Sequence, residues 1–178
     1  TLIVQKPDDC SKYYIFHTGD HMTPPDLRYT MVDMCLNGGL GDVVTAQKNI
    51  FLYTPCSEKM TAVKHTNGTD VWVVVHDLGN AQFRSFLVTP AGVGASVNTT
   101  VGSVHNNNCM IGYMKASHNG QKLVSANTFC QVFDLFDFNA ATGVVSNPVN
   151  LNNFTGADWY YGVEFSPNDQ LLYASTTW

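Results

Sequence analysis

Glutamate is almost missing from this chain: Glu58 and Glu164 are the only two among 178 residues. Glutamate, lysine, arginine and leucine favour helices, so this scarcity argues against a helical architecture. Lysine and arginine number nine together and form no run, which removes the electrostatic footprint of a nucleic-acid binder. No apolar stretch approaches the roughly 18 residues of a membrane-spanning helix. A charged n-region followed by an apolar h-region and a small-residue cleavage site is also missing. Thr1 already stands in a strand-like run, so any targeting signal is expected to have been removed or to lie outside this segment. There is no CxxC pair to suggest zinc, and five cysteines are too few to hold a mini-protein. Their odd number leaves at least one thiol unpaired within the chain. GxSxG is absent, "GVGAS" suits a turn and strand rather than a nucleophile elbow, and no carboxylate pair stands out as acid and base.

What is present points the other way. Twenty valines and seventeen threonines suit pleated, half-buried surfaces, and sixteen asparagines with fourteen glycines supply turns. Apolar residues make up 44% of the chain, enough to bury a sizeable core, and the formal net charge is −5. The composition is that of an all-β protein with many tight reversals.

The chain also repeats itself. "YMKASHNGQKLVSAN" and "GVEFSPNDQLLYAS" match at Ser117 and Ser166, Asn119 and Asn168, Gln121 and Gln170, and Leu123 and Leu172. Two further copies of this hairpin are "TLIVQKPDDCSKYYIFH" and "TAVKHTNGTDVWVVVH", and a lysine falls late in the first strand of three copies, at Lys6, Lys64 and Lys115. The second strands, such as "DVWVVVH", are nearly continuous apolar runs, which predicts burial on both faces. A second strand pair follows each of the first three hairpins, with turn glycines at Gly41, Gly92 and Gly143, a constant spacing of 51. Glycine is expected there because tight hairpin turns need positive φ.

The chain therefore parses into units of four strands, A to D. They cover Thr1 to Tyr53, Glu58 to Val104 and Met110 to Phe154, with only the A–B hairpin of a fourth at Tyr160 to Ser175. Four short strands at a period near 50 mark a β-propeller blade, which buries its faces by stacking on neighbours. The expected fold is all-β: a β-propeller fragment of about three and a half four-stranded blades. Both ends are expected to expose blade surface, including the edge of "LLYAS". The rest of the ring would come from more of the same polypeptide or from another copy.

"FSPNDQLLYAS" and "DLFDFNAATGVV" resemble the repeats of YVTN-type, lactonase-like and WD-repeat-like bacterial propellers. "LRYTMVDMCLNGGLGDV" and "EKMTAVKHTNGTDVWVVVH" are more similar to the N-terminal propeller of large secreted proteins of gliding Bacteroidetes, which end in a type IX secretion sorting domain. The resemblance spans essentially the whole chain. It implies a secreted or cell-surface location and no assigned catalytic activity. Cys10, Cys35 and Cys56 stand where such relatives are expected to carry Ser or Thr, and no sorting domain is present.

Blade topology gathers the D–A and B–C loops on one face. His17, His21, His76 and His105 fall there and are ligand-binding candidates, although their spacing matches no established metal set. His65 and His118 lie in A–B turns on the opposite face. Trp159, Tyr160 and Tyr161 form an aromatic cluster suited to stacking on sugar, to anchoring a partner, or to packing between blades. "DFNAATG", with Asp137, Asn139 and Gly143, lacks the further carboxylate of a calcium loop and reads as a capped turn. Sequons at Asn67, Asn98 and Asn153 are common by chance in so Asn- and Thr-rich a chain. Cys10 is expected to pair with Cys35 and Cys109 with Cys130, leaving Cys56 alone, because each pair shares a face of its blade. No metal, cofactor, nucleic acid or membrane span is expected. The favoured function is a non-enzymatic module for adhesion, display, or binding of a protein or glycan. The alternatives are a lactonase-like propeller enzyme, with acidic or histidine residues at the channel mouth, and a purely structural spacer.

Overall fold

Valine-rich runs form the strands, and glycine, asparagine and aspartate turn the chain between them. The computed structural model describes residues 1–19, 25–106, 109–152 and 159–176. Among these there are fifteen strands, short 3-10 turns such as Asn37–Gly39 and Thr45–Gln47, and no α-helix. Among the described residues, no helix is long and apolar enough to cross a membrane.

The first sheet runs β1 (Leu2–Gln5), β2 (Lys12–Thr18) and β3 (Leu27–Asp33), then a broken outer strand. Its two pieces, β4 (Asp42–Val43) and β5 (Ile50–Tyr53), both pair with β3 and are separated by the turn at Thr45–Gln47. The second sheet is β6 (Cys56–Lys64), β7 (Val71–Asp77), β8 (Gln82–Thr89) and β9 (Gly92–Thr100), in chain order. The third is β10 (Met114–Ala116), β11 (Lys122–Asn127), β12 (Val132–Asn139) and β13 (Val144–Asn150). A two-stranded sheet of β14 (Tyr160–Phe165) and β15 (Leu172–Thr176) follows. All pairings are antiparallel. The fold is all-β and propeller-like.

Three apolar layers join the sheets face to face. Tyr14, Phe16 and Leu27 of the first sheet meet Val73, Val75 and Val88 of the second. Trp72, Val74 and Phe83 meet Leu123, Phe136 and Phe138 of the third. Val124, Ala126 and Phe133 meet Tyr160, Val163 and Phe165 of the fourth. β7 and β11 are buried along nearly their whole length, because each is covered on both faces. β15 instead stays exposed along most of its length, since it pairs with β14 alone.

Gly41, Gly92 and Gly143 adopt φ of 83°, 128° and 75°, the region their turns require. Gly143 has a second role. A Cβ there would lie 2.8 Å from the Trp72 ring, whose Nε1 donates to the Ala140 carbonyl at 2.9 Å across the sheet junction. The matching hairpin turns share their bonding. Ser117 Oγ accepts from Lys122 N–H and Ser166 Oγ from Leu171 N–H, both at 2.9 Å. The later turn also docks on the earlier one, with Asp169 accepting the N–H groups of His118 and Asn119 at 2.8 Å each.

Cys109 and Cys130 are joined, with Cα atoms 5.4 Å apart. Cys56 is free and buried, and burial pushes its thiol up to about 12. Cys10 and Cys35 are exposed free thiols, so the expected bridge between them is not formed. Each lies in a turn just beyond the end of the β2–β3 ladder.

Candidate functional site

The first strand of each sheet is its inner edge, and β1, β6, β10 and β14 stand side by side. Two adjoining cavities of about 330 and 470 Å³ lie along this row and share Thr1, Glu58, Gly112 and Tyr113. A third, of about 390 Å³, continues past Tyr113 and Lys115 to Glu164 and Tyr173.

Both glutamates of the chain fall on this row. Glu58, on β6, is half-buried and lines the first two cavities. Glu164, on β14, accepts from Lys115 Nζ at 2.9 Å, and that bond holds its carboxyl below the usual range. Tyr113 and Tyr161 present partly exposed rings with centroids 5.4 Å apart. Their backbones are tied as well, Tyr113 N–H donating to the Tyr161 carbonyl at 2.9 Å. Gly112 lets the segment before β10 lie against β11: at φ 128°, a Cβ would sit 2.1 Å from the Ala126 carbonyl oxygen.

Directly behind Glu58, strand alternation turns Lys59 into the junction of the second and third sheets. Lys59 is 1% exposed and donates to the carbonyls of Cys109 and Met110 at 2.9 and 3.1 Å. Burial pushes its ammonium down to about 7. It thereby anchors the bridged segment that leads into β10.

Among the described residues, the histidine candidates do not come together as a loop-face site. His76 and His105 come together, but as a fully buried stack with centroids 3.5 Å apart. His76 Nδ1 bonds the Asp77 carbonyl at 2.7 Å, and Asn127 Nδ2 lies 3.2 Å from His105 Nε2. Burial pushes His76 down to about 4 and His105 well below its ordinary value. His17 sits half-buried on β2. His21 lies outside the described residues. Among the described residues, no three of His, Cys, Asp and Glu converge as metal ligands.

Of the aromatic candidates, Tyr160 packs inward, buried and stacked on Phe133 at 4.8 Å, whereas Trp159 is half-buried and meets the exposed Phe129 edge-on at 5.3 Å. The ring that reaches the cleft is Tyr161. In "DFNAATG", Asp137 is held low by a 2.7 Å bond from Asn147 Nδ2, then by Lys122, and Asn139 Oδ1 caps Ala141 N–H at 3.0 Å. Those oxygens are committed to the turn.

Sequence reasoning passed over Glu58, Tyr113, Lys115 and Glu164 as site residues. One signal was available: Lys115 and Glu164 occupy equivalent positions in the two matching hairpins, 49 residues apart.

No protein-family model matches the chain, and no curated protein matches it. Solved structures do. A candidate 6-phosphogluconolactonase from Bacteroides uniformis superposes with a TM-score of 0.63 at 13% identity, over 98% of this chain and 46% of that one. The periplasmic gluconolactonase PpgL of Pseudomonas aeruginosa gives 0.62 at 12%, over 98% and 46%. A second candidate 6-phosphogluconolactonase, from Bacteroides fragilis, gives 0.56 at 11%, over 98% and 51%. The chain thus spans about half the length of these proteins, and at such identities the likeness is one of fold. It shows that the chain shares its all-β, propeller-like fold with these proteins. It also overturns the expectation of a non-enzymatic adhesion or display module, because all three neighbours carry lactonase names.

Proposed function

We propose that this chain contributes to a lactonase-like propeller hydrolase that opens a cyclic ester in the cleft along β1, β6, β10 and β14. The observation that carries this reading is the placement of both glutamates, Glu58 and Glu164, on that one row, in a fold shared with lactonase-named structures. Glu58 is the general base. It takes a proton from a water whose oxygen bonds to the lactone carbonyl carbon. The tetrahedral oxyanion forms beside Lys115 Nζ, where a fixed positive charge stabilises it. The ring C–O bond then breaks, and the leaving alkoxide takes the proton from Glu58 to give a hydroxy acid. Tyr113 and Tyr161 offer aromatic faces to a sugar-type ring.

Charge favours a neutral lactone over a phosphorylated one. Lys115 is already paired with Glu164, Glu58 adds a further carboxylate, and the chain carries −5 overall. A phosphate would meet net repulsion there. Export from the cytoplasm fits the Cys109–Cys130 bridge, the periplasmic origin of one neighbour, and the resemblance to propellers of secreted gliding-motility proteins.

The test is lactone hydrolysis by the full-length protein, with and without divalent cations, on a neutral and a phosphorylated aldonolactone. The neutral substrate is expected to turn over faster. Glu58→Gln is expected to lower kcat by about 100-fold or more, the scale of general-base catalysis, with an unchanged far-UV spectrum. Absence of any lactone hydrolysis, or full activity in Glu58→Gln, would sink the proposal.

A further inference from the structure

We propose that Cys10 and Cys35 form a reversible disulfide that latches the outer turns of the first sheet, their exposed free thiols being its reduced state. The argument is one of register. β2 and β3 pair Phe16 with Tyr29, Tyr14 with Met31 and Lys12 with Asp33, all on one face of the sheet. These cross-strand partners touch where their side chains are long enough: the Phe16 and Tyr29 rings lie 5.9 Å apart, and Lys12 Nζ lies 3.5 Å from Asp33 Oδ2. The last ladder bond runs from Met34 N–H to the Ser11 carbonyl at 2.8 Å, while Ser11 N–H turns to Asp9 Oδ1 at 3.2 Å. Carried into the turns, that register would set Cys10 opposite Cys35.

Two consequences follow from antiparallel geometry. Side chains alternate with period two, so Cys10 and Cys35 belong to the same face as Lys12 and Asp33. Bonded and non-bonded pairs also alternate, so the same register carried past Ser11 and Met34 would make Cys10–Cys35 a non-hydrogen-bonded pair. Such pairs hold their Cα atoms about 4.5 Å apart, inside the span of a disulfide. Both cysteines sit in turns, where small adjustments disturb no ladder bond: Cys35 N–H is held by Asp33 Oδ1 at 2.9 Å, and the Cys10 carbonyl by Gln5 Nε2 at 3.3 Å.

Reactivity and environment agree with this geometry. Both thiols are exposed, and Cys10 borders an open groove of about 620 Å³ between the first two sheets' turns. Cys56 does not compete, being buried beneath the same sheets. The chain already contains the Cys109–Cys130 bridge, which fits an oxidising compartment. The oxidant is a small-molecule disulfide. One cysteine thiolate attacks it to form a mixed disulfide and release one small thiol. The second thiolate displaces the other, so one disulfide forms, one is reduced, and the two cysteine protons end on the two small thiols.

The experiment uses the full chain, exposed to oxidised glutathione, alkylated, digested without reduction and read by mass spectrometry. A linked Cys10–Cys35 peptide is expected, lighter by two hydrogens than its reduced parts, with Cys56 alkylated only after unfolding. The oxidised chain should melt about 5 °C or more above the same chain in a mild reductant that spares Cys109–Cys130, since the bridge restrains the unfolded state. Cys10→Ser should instead trap glutathione on Cys35. Separate glutathiones on both cysteines of the wild-type chain, two thiols left free, or a bridge only between molecules would each overturn the proposal.

Discussion

The imidazoles of His76 and His105 lie face to face inside the junction of the second and third sheets, with ring centroids 3.5 Å apart and planes tilted by 24°. His76 also meets Phe83 edge-on at 4.5 Å, so the pair continues an aromatic layer rather than opening to solvent. His76 Nε2 and His105 Nδ1 have no hydrogen-bond partner among the described residues, and the Lys59 ammonium is near enough to oppose protonation of both rings.

Acid lability follows. Burial lowers His76 from 6.5 to about 4 in the folded chain, so above 6.5 both states are neutral and nothing is lost. As pH falls from about 6.5 to 4 the unfolded state binds the proton first, and His76 alone removes about 3 kcal/mol of stability. Lys59 acts in the same direction at higher pH: lowered from 10.5 to about 7, it makes stability rise as pH climbs through that window. Urea midpoints measured across pH 4 to 9 test this, and a flat profile would contradict the buried stack.

A second buried network ties the first sheet to the second. Asp77 accepts Arg84 Nε at 2.8 Å and the Tyr53 hydroxyl at 2.9 Å, and the guanidinium lies 3.6 Å from the Tyr53 ring centroid. Asp77→Ala leaves Arg84 without its counter-charge in a largely buried place and is expected to cost about 3 kcal/mol or more. Tyr53→Phe, which removes one hydrogen bond, should cost about 1 kcal/mol. Chemical denaturation of the two variants gives the comparison, and equal losses would show that the ion pair is not the main tie.

Gly112 and Gly68 separate backbone strain from a steric clash. Both have positive φ, 128° and 79°, but a Cβ meets Ala126 O at 2.1 Å in the first and nothing within 4 Å in the second. Gly68→Ala should cost about 1–2 kcal/mol, the backbone penalty alone. Gly112→Ala adds overpacking of a further 1–3 kcal/mol or so, and it should also distort the cleft beside Tyr113. Melting curves of the two variants decide it, with Gly112→Ala clearly the less stable.

Loss of the Cys109–Cys130 bridge should be felt across the third sheet. Its partners are 21 residues apart, and closing a loop of that size restrains the unfolded chain by about 3 kcal/mol. With Cys10 and Cys35 held reduced throughout, the double Cys→Ala variant should therefore melt several degrees lower, and strong reductant should lower the wild-type melt but not the variant's. A wild-type melt that ignores reductant would show that the bridge adds no net stability.

The strands, the reversals and the repeat were legible in the sequence because their causes are local. Valine and threonine runs extend the chain, and the turns at Gly41, Gly92 and Gly143 need a backbone that only glycine adopts freely. Repetition then implies stacking, since one sheet cannot cover its own faces, and the three apolar layers show that it does not. The cleft was not legible. Alternation says that Glu58 and Lys59, or Tyr160 and Tyr161, point opposite ways, but not which of each pair faces the inner row. That choice is made by the neighbouring sheet, which takes Lys59 onto the Cys109 and Met110 carbonyls and Tyr160 onto Phe133, leaving Glu58 and Tyr161 to the cavities. His76 and His105 meet for the same reason, one from a strand of the second sheet and the other from the link to the third. Packing between sheets joins residues distant along the chain, and no local pattern records which face a neighbour will claim.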